Sequence, residues 1–239
     1  MCKVILLYLS KFEIKGDKNM SNCQFEKIAC PKCGHEQEVM IYRSINACLD
    51  AEARDMLLGN QLFSFTCQEC GETTPLLFDC LYHDMEHGLM VWLKPELSKE
   101  ELDEMNEGIC QMEAMDPSMK DRYRYRIVRT VNELKEKLTI ERENLDDRII
   151  ELVKTVYLAH VAEKIGERTV AEVMFDIIDD GYFFTIFYED EGADPGVVMM
   201  DMEVYRKVKE QYEETLNTCQ IQGFQDICFE WARKILFGA

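Results

Sequence analysis

The chain has no run near the roughly 18 consecutive apolar residues that a membrane-crossing helix needs. It also lacks the common catalytic signatures. A phosphate-cradling glycine loop, a Gly-x-Ser-x-Gly elbow and a His-Glu-x-x-His zinc helix are all missing from its 239 residues. Positive charge is scarce, with 46 acidic residues against 27 basic ones and a formal charge of −19. A surface of that sign repels phosphate, which ranks nucleic-acid binding behind other roles. The apolar stretch Val4 to Leu9 is shorter than a signal-peptide core, and Lys11, Lys15 and Lys18 follow it without a small-residue cleavage site. Met20-Ser21-Asn22 makes a natural start, so residues 1–19 are expected to be an N-terminal extension, or else a short strand of no independent importance. With neither a membrane helix nor a signal peptide, the protein is expected to be cytoplasmic.

Cysteine is what the chain does have, in a pattern. Cys30-Pro31-Lys32-Cys33-Gly34 is echoed by Cys67-Gln68-Glu69-Cys70-Gly71, giving C-x2-C-x33-C-x2-C. Two cysteines three positions apart put both sulfurs on one side of a tight turn, and the following glycine supplies the positive φ that turns backbone amides toward them. Two such halves make the four-thiolate cage that zinc prefers in structural sites, with Cys30, Cys33, Cys67 and Cys70 as ligands. Thiolate softness alone does not separate zinc from iron. Strand-like runs flank both pairs, whereas redox pairs of the thioredoxin type open a helix. Seven further cysteines, at 2, 23, 48, 80, 110, 219 and 228, are scattered, as suits small buried hydrophobes in a reducing compartment.

CPKCG, a connector with Ser44-Ile45-Asn46, then Leu62-Phe63-Ser64-Phe65-Thr66-Cys67, Leu81-Tyr82-His83-Asp84-Met85 and Val91-Trp92-Leu93 together resemble the CpXC family of bacterial proteins. The likeness runs from about Ile28 to Leu93 and more weakly through Arg126-Ile127-Val128 to Leu145-Asp146-Asp147-Arg148. Gln68 stands where the family motif has proline, so the second turn is less stiff while both of its sulfurs are kept. The resemblance implies a zinc-ribbon-like fold and a metal, and carries no activity.

The fold class expected is α+β. Residues 20–116 form an antiparallel zinc-ribbon-like domain with a covering helix, and residues 117–239 a small α+β domain with an antiparallel sheet. Strands are expected over 25–29, 36–42, 62–66, 74–83 and 89–93, with a helix from an Asp50 cap to Leu58. Ser98-Lys99-Glu100-Glu101 is a capping box that opens a helix carrying Leu102, Met105, Ile109 and Met112, and Met115-Asp116-Pro117 ends it at the expected domain boundary. Arg122 to Arg126 alternates like an edge strand with three guanidinium groups on one face. Further helices are expected from Thr130 and Leu145. Strands follow at Val170–Ile178 and Tyr182–Glu189 about an Asp180-Gly181 turn, the second strand central and covered on both sides. A short strand over 197–200 and two amphipathic helices, over 204–216 and 224–235, complete the chain.

Three functional readings follow. The first is a structural zinc protein acting as a protein-interaction or regulatory adaptor, with a protein partner and no membrane association. The second is a hydrolase or transferase with a cleft between the halves, using His83, Asp84 or the Arg122-Arg124-Arg126 face. The third is a nucleic-acid-binding ribbon. His83, Asp84, Glu86 and His87 read as polar residues of a hairpin tip, and His160, on an apolar helical seam, as a core histidine.

Overall fold

Local capping and turn chemistry set the element boundaries. The computed structural model describes residues 5–6, 21–119, 122–190, 192–218 and 222–238. In order these form β1 (Ile5–Leu6), β2 (Asn22–Ala29), β3 (Glu36–Asn46), α1 (Ala51–Leu58), β4 (Ser64–Thr66), β5 (Thr73–Leu77), β6 (Cys80–Asp84), β7 (Leu89–Leu93) and α2 (Lys99–Met115). After a 3-10 turn at Pro117–Met119 come β8 (Arg124–Val128), α3 (Val131–Arg142), α4 (Asp147–Ile165), β9 (Val170–Ile178), β10 (Gly181–Tyr188), β11 (Gly196–Met199), α5 (Met202–Thr218) and α6 (Phe229–Phe237). Asp50 caps α1 by accepting from the Ala53 amide at 3.0 Å. Ser98 and Glu101 cap α2 reciprocally, which satisfies two of its orphan amides. The expected extension, Cys2 and Cys219 lie outside the described residues, apart from Ile5–Leu6, which pair in parallel with β5.

The chain resolves into two compact units: residues up to Lys135 with Gln222–Gln225, and Glu136 onward without that segment. In the first unit a five-stranded sheet has the order β2-β3-β6-β7-β8, and a three-stranded one the order β1-β5-β4. The antiparallel sheet expected for the N-terminal part is in fact mixed. β2–β3 and β6–β7 are antiparallel, but β3–β6 and β7–β8 are parallel. Parallel neighbours need a crossover of a dozen residues or more. Residues 47–79 supply one crossover and residues 94–123, with α2, the other. The expected strand over 74–83 is likewise two: β5 pairs with β4, and β6 enters the larger sheet.

One side of β6–β8 packs under α2. Ile109, Tyr123, Tyr125, Ile127 and Phe224 are buried together there, with Trp92, Leu102 and Met105 against them. Phe224 meets Trp92 edge-on at 5.6 Å and Tyr125 at 5.2 Å. It is drawn in by a backbone return in which the Ile127 amide donates to the Gln225 carbonyl. Each such ring pair adds about 0.5–1.5 kcal/mol beyond area burial.

In the second unit β10 lies between β11 and β9, all antiparallel, as the alternation implied. Phe175 and Phe184 face Ile149, Ile150, Leu152 and Val153 of α4, joined by Tyr205, Val208 and Leu216 of α5. β10 is central but covered on one side only, since Phe187 on its other face is exposed.

A charged cluster that the sequence did not signal is buried between α3 and α4. Lys154 Nζ lies 2.8 Å from Glu136 and 3.0 Å from Glu151. Glu136 also accepts from the Phe175 amide, and Lys137 pairs with Asp147 at 3.2 Å. Burial lifts the Glu151 carboxyl above its ordinary 4.5, with Lys154 pulling it back and Glu136 adding to the rise. A carboxyl raised on folding stabilises the fold fully below its unfolded value, and this contribution is lost as pH rises through the folded value. Glu151→Gln should therefore flatten the decline in stability above 4.5. Urea midpoints from acid to mildly alkaline pH should favour the variant increasingly, and parallel curves would contradict this assignment.

Candidate metal centre

Each Cys-x-x-Cys occupies the tip of a hairpin, the first between β2 and β3 and the second between β4 and β5. The two tips are built alike. The Cys30 amide donates to the His35 carbonyl at 2.8 Å and the Gly34 amide to the Cys30 carbonyl at 2.9 Å; Cys67 to Glu72 and Gly71 to Cys67 repeat these bonds at 2.8 and 2.9 Å. Gly34 and Gly71 take φ of 76° and 69°, the left-handed conformation that a side chain would strain. Gln37 ties the tips together, its Nε2 donating to the Thr66 carbonyl and its Oε1 accepting from the Gln68 amide. Lys32 pairs with Glu72 across them at 2.7 Å.

The hairpins bring all four sulfurs within 4.8 Å of one another. Cys30 and Cys70 are 3.7 Å apart, Cys33 and Cys67 3.6 Å. These are not disulfide distances, and all four thiols are free. A tetrahedron of sulfurs about 2.3 Å from a central ion has edges of about 3.8 Å, so the donor set fits a four-thiolate metal in both chemistry and size. Such a cage is closed, with no position left for water or substrate. Without an ion, the Cys33 amide beside Cys30 holds that thiol down at about 7. Cys33, although the His35 amide donates to it, is pushed up to about 12 by burial and by sharing hydrogen bonds with the other three sulfurs. Cys70, although the Glu72 amide donates to it, is raised by desolvation and by hydrogen bonds with Cys30 and Cys67, with Cys33 pulling the other way.

The other candidates do not converge. His83 and Asp84 are successive in β6 and so point to opposite faces. His83 Nε2 meets the Tyr123 hydroxyl at 3.1 Å, and burial pushes its pKa down. Asp84, despite burial, is held below the ordinary carboxylate range by hydrogen bonds from His87, taking the His87 ring at 2.9 Å and the Glu86 and His87 amides. This is a hairpin-tip turn. At and just before β8, Arg122 is exposed, Arg124 half-buried and Arg126 buried, its guanidinium donating to the Tyr125 carbonyl, so no continuous exposed cationic track forms. His160 is exposed rather than in the core, because α4 rotates its 156 and 160 positions to solvent past the buried Glu151-to-Thr155 stretch. Among the scattered cysteines, Cys80 is buried as expected, but Cys23, Cys48 and Cys110 are exposed. The clamps Gln37 and Glu72 were not anticipated, since only the closed geometry pairs them with the opposite tip.

Two cysteine hairpins, one from each sheet of the first unit, thus bring together four sulfurs that could hold a single metal ion. Residues 28–154 match the family described as CpXC protein, and since that span is more than half of its length the chain belongs to the CpXC family. No curated protein and no solved structure matches. No described helix is long and apolar enough to cross a membrane.

Proposed function

We propose that this chain is a structural zinc protein that works as a protein-interaction or regulatory adaptor. The observation that carries the reading is the four-sulfur cluster of Cys30, Cys33, Cys67 and Cys70, spaced as one tetrahedral ion requires. Bound zinc would hold the two hairpin tips in register and neutralise part of the thiolate charge. A closed cage suits a scaffold better than a reaction centre, and an acidic surface of formal charge −19 suits a protein partner better than nucleic acid. Zinc rather than iron is favoured because sulfur-only tetrahedral sites are its commonest structural setting.

Affinity capture from native extract, comparing full-length protein with Cys30→Ser/Cys70→Ser, tests the adaptor role. The wild type should recover a reproducible protein partner that the double variant loses. Recovery of none, or turnover of a small-molecule substrate that depends on His83, would instead favour a hydrolase or transferase.

A further inference from the structure

Every charged residue between positions 170 and 200 is acidic. That stretch builds the three-stranded sheet of the second unit, and one side of the sheet packs on α4 and α5 through Phe175 and Phe184. The register puts Met174 and Ile178 of β9, Phe183 and Phe187 of β10, and Val197 and Met199 of β11 on the other side. Ile178 is 40% exposed, Phe187 37%, Val197 53% and Met199 67%, so large apolar side chains stand in water across all three strands. Acidic groups frame them. Glu172 and Asp176 share the β9 row, Asp179 and Asp180 form the turn at one end, and Glu189, Asp190 and Asp194 lie in the loop at the other.

The apolar field is edged mostly by acidic groups, with the Arg168 guanidinium over the Tyr188 ring as a cation at the loop end, and such a field marks a docking surface rather than an accident of composition. The charge also selects the occupant. A second copy would set these acidic ends against each other whichever way it lay, and an acidic partner would fare no better. Dimensions agree with a helix. The outer strands lie two spacings apart, about 9–10 Å, against a helix diameter of about 10–12 Å. The eight residues of β10 extend about 27 Å, the length of a helix of about 18 residues. A helix here would cover the open side as α4 and α5 cover the other, completing a three-layer arrangement.

We propose that this face binds a basic amphipathic helix of a partner protein, with its apolar stripe on Phe187, Val197 and Met199 and its Lys and Arg side chains over the acidic turn and loop. The inference rests on the adaptor reading above and names where and what that adaptor would bind.

The probe is a dye-labelled peptide of about 18 residues, Leu at helical i, i+3, i+4, i+7 spacing and Lys elsewhere, titrated into full-length protein by fluorescence anisotropy. Its controls are the same composition in scrambled order and a Leu/Glu version. Binding should be weakened about ten-fold or more by Phe187→Ser/Met199→Ser, by scrambling and by the Glu exchange, and should fall with added salt. Phe25→Ser, removing an exposed aromatic from β2 of the other unit, should leave it unchanged. Circular dichroism checks that the double variant stays folded, as both side chains are at the surface. Equal binding by wild type and double variant, equal binding of the scrambled peptide, or wild-type dimerisation abolished by the same pair would overturn the proposal. Should the peptide fail while affinity capture still recovers a partner independent of Phe187 and Met199, this inference falls and the adaptor reading stands. Recovery of no partner removes both.

Discussion

Removing the proposed metal is expected to unfold the region around the two cysteine hairpins while leaving the second unit intact. The strands carrying the second knuckle are short, three residues in β4 and five in β5, and β1 adds only two. Phe63, Phe65, Leu76 and Phe78 are buried around them, with Phe63 stacked on Phe78 at 4.7 Å. That small cluster must offset the ordering of both hairpin tips. Four-thiolate zinc contributes on the order of 10 kcal/mol to small folds, comparable with the whole net stability of about 5–15 kcal/mol of a typical domain. Hydrogen exchange should show amides of residues 29–37 and 64–76 losing about 100-fold or more of their protection on chelation. Amides of α4 and β10 should keep theirs. Cys67, buried to 1% exposure, should be the most sensitive single position, because Cys67→Ser both opens the cage and leaves a hydroxyl in an apolar site. Its first thermal transition should fall by about 10 °C or more. Unchanged protection after chelation would mean that the hairpins stand without an ion.

Loss of Lys154 should be the costliest change in the second unit. Its ammonium is the cation held between Glu136 and Glu151, and all three side chains are nearly inaccessible to water. Burial alone would lower its pKa, but the two carboxylates raise it well above the ordinary lysine value and keep it charged. Lys154→Ala strands two carboxylates in a site that water does not reach, at a cost of about 3–5 kcal/mol. Replacing the group as a set, Lys154→Met with Glu136→Gln and Glu151→Gln, should recover most of that loss. No uncompensated charge then remains, and the side-chain amide oxygen introduced by Glu136→Gln can still accept from the Phe175 amide. Denaturant melts of the two variants against wild type check both values. A Lys154→Ala midpoint equal to wild type would show that water reaches the cluster.

Features encoded within a few residues were legible in the sequence. Both knuckles follow from cysteine spacing plus Gly34 and Gly71, and the α1 and α2 caps from Asp50 and from Ser98 with Glu101. The β9–β10 hairpin is located by Asp180-Gly181, although its two-residue turn is Asp179-Asp180, both at positive φ, with Gly181 already in β10. What was not legible depends on partners far apart in the chain. Nothing local to Ser44-Ile45-Asn46 announces parallel pairing with Leu81-Tyr82-His83, so an antiparallel ribbon was the simpler expectation. Phe224 packs on Trp92 and Tyr125, though its own neighbourhood reads as the start of an amphipathic helix that begins at Phe229. β10 carries aromatics on both faces, and its composition does not tell which of them a helix will cover. The ion cluster of Glu136, Glu151 and Lys154 hides in ordinary helical charge spacing, since burial, not sequence, sets it apart.

The account depends on one ion shared by four sulfurs from two hairpins, and X-ray absorption at the metal edge of protein purified without added metal addresses it most directly. One zinc per chain with a shell of four sulfurs at about 2.3 Å is the expected result. A shell containing nitrogen or oxygen, two sulfurs only, or protein that folds fully with no metal bound would contradict it.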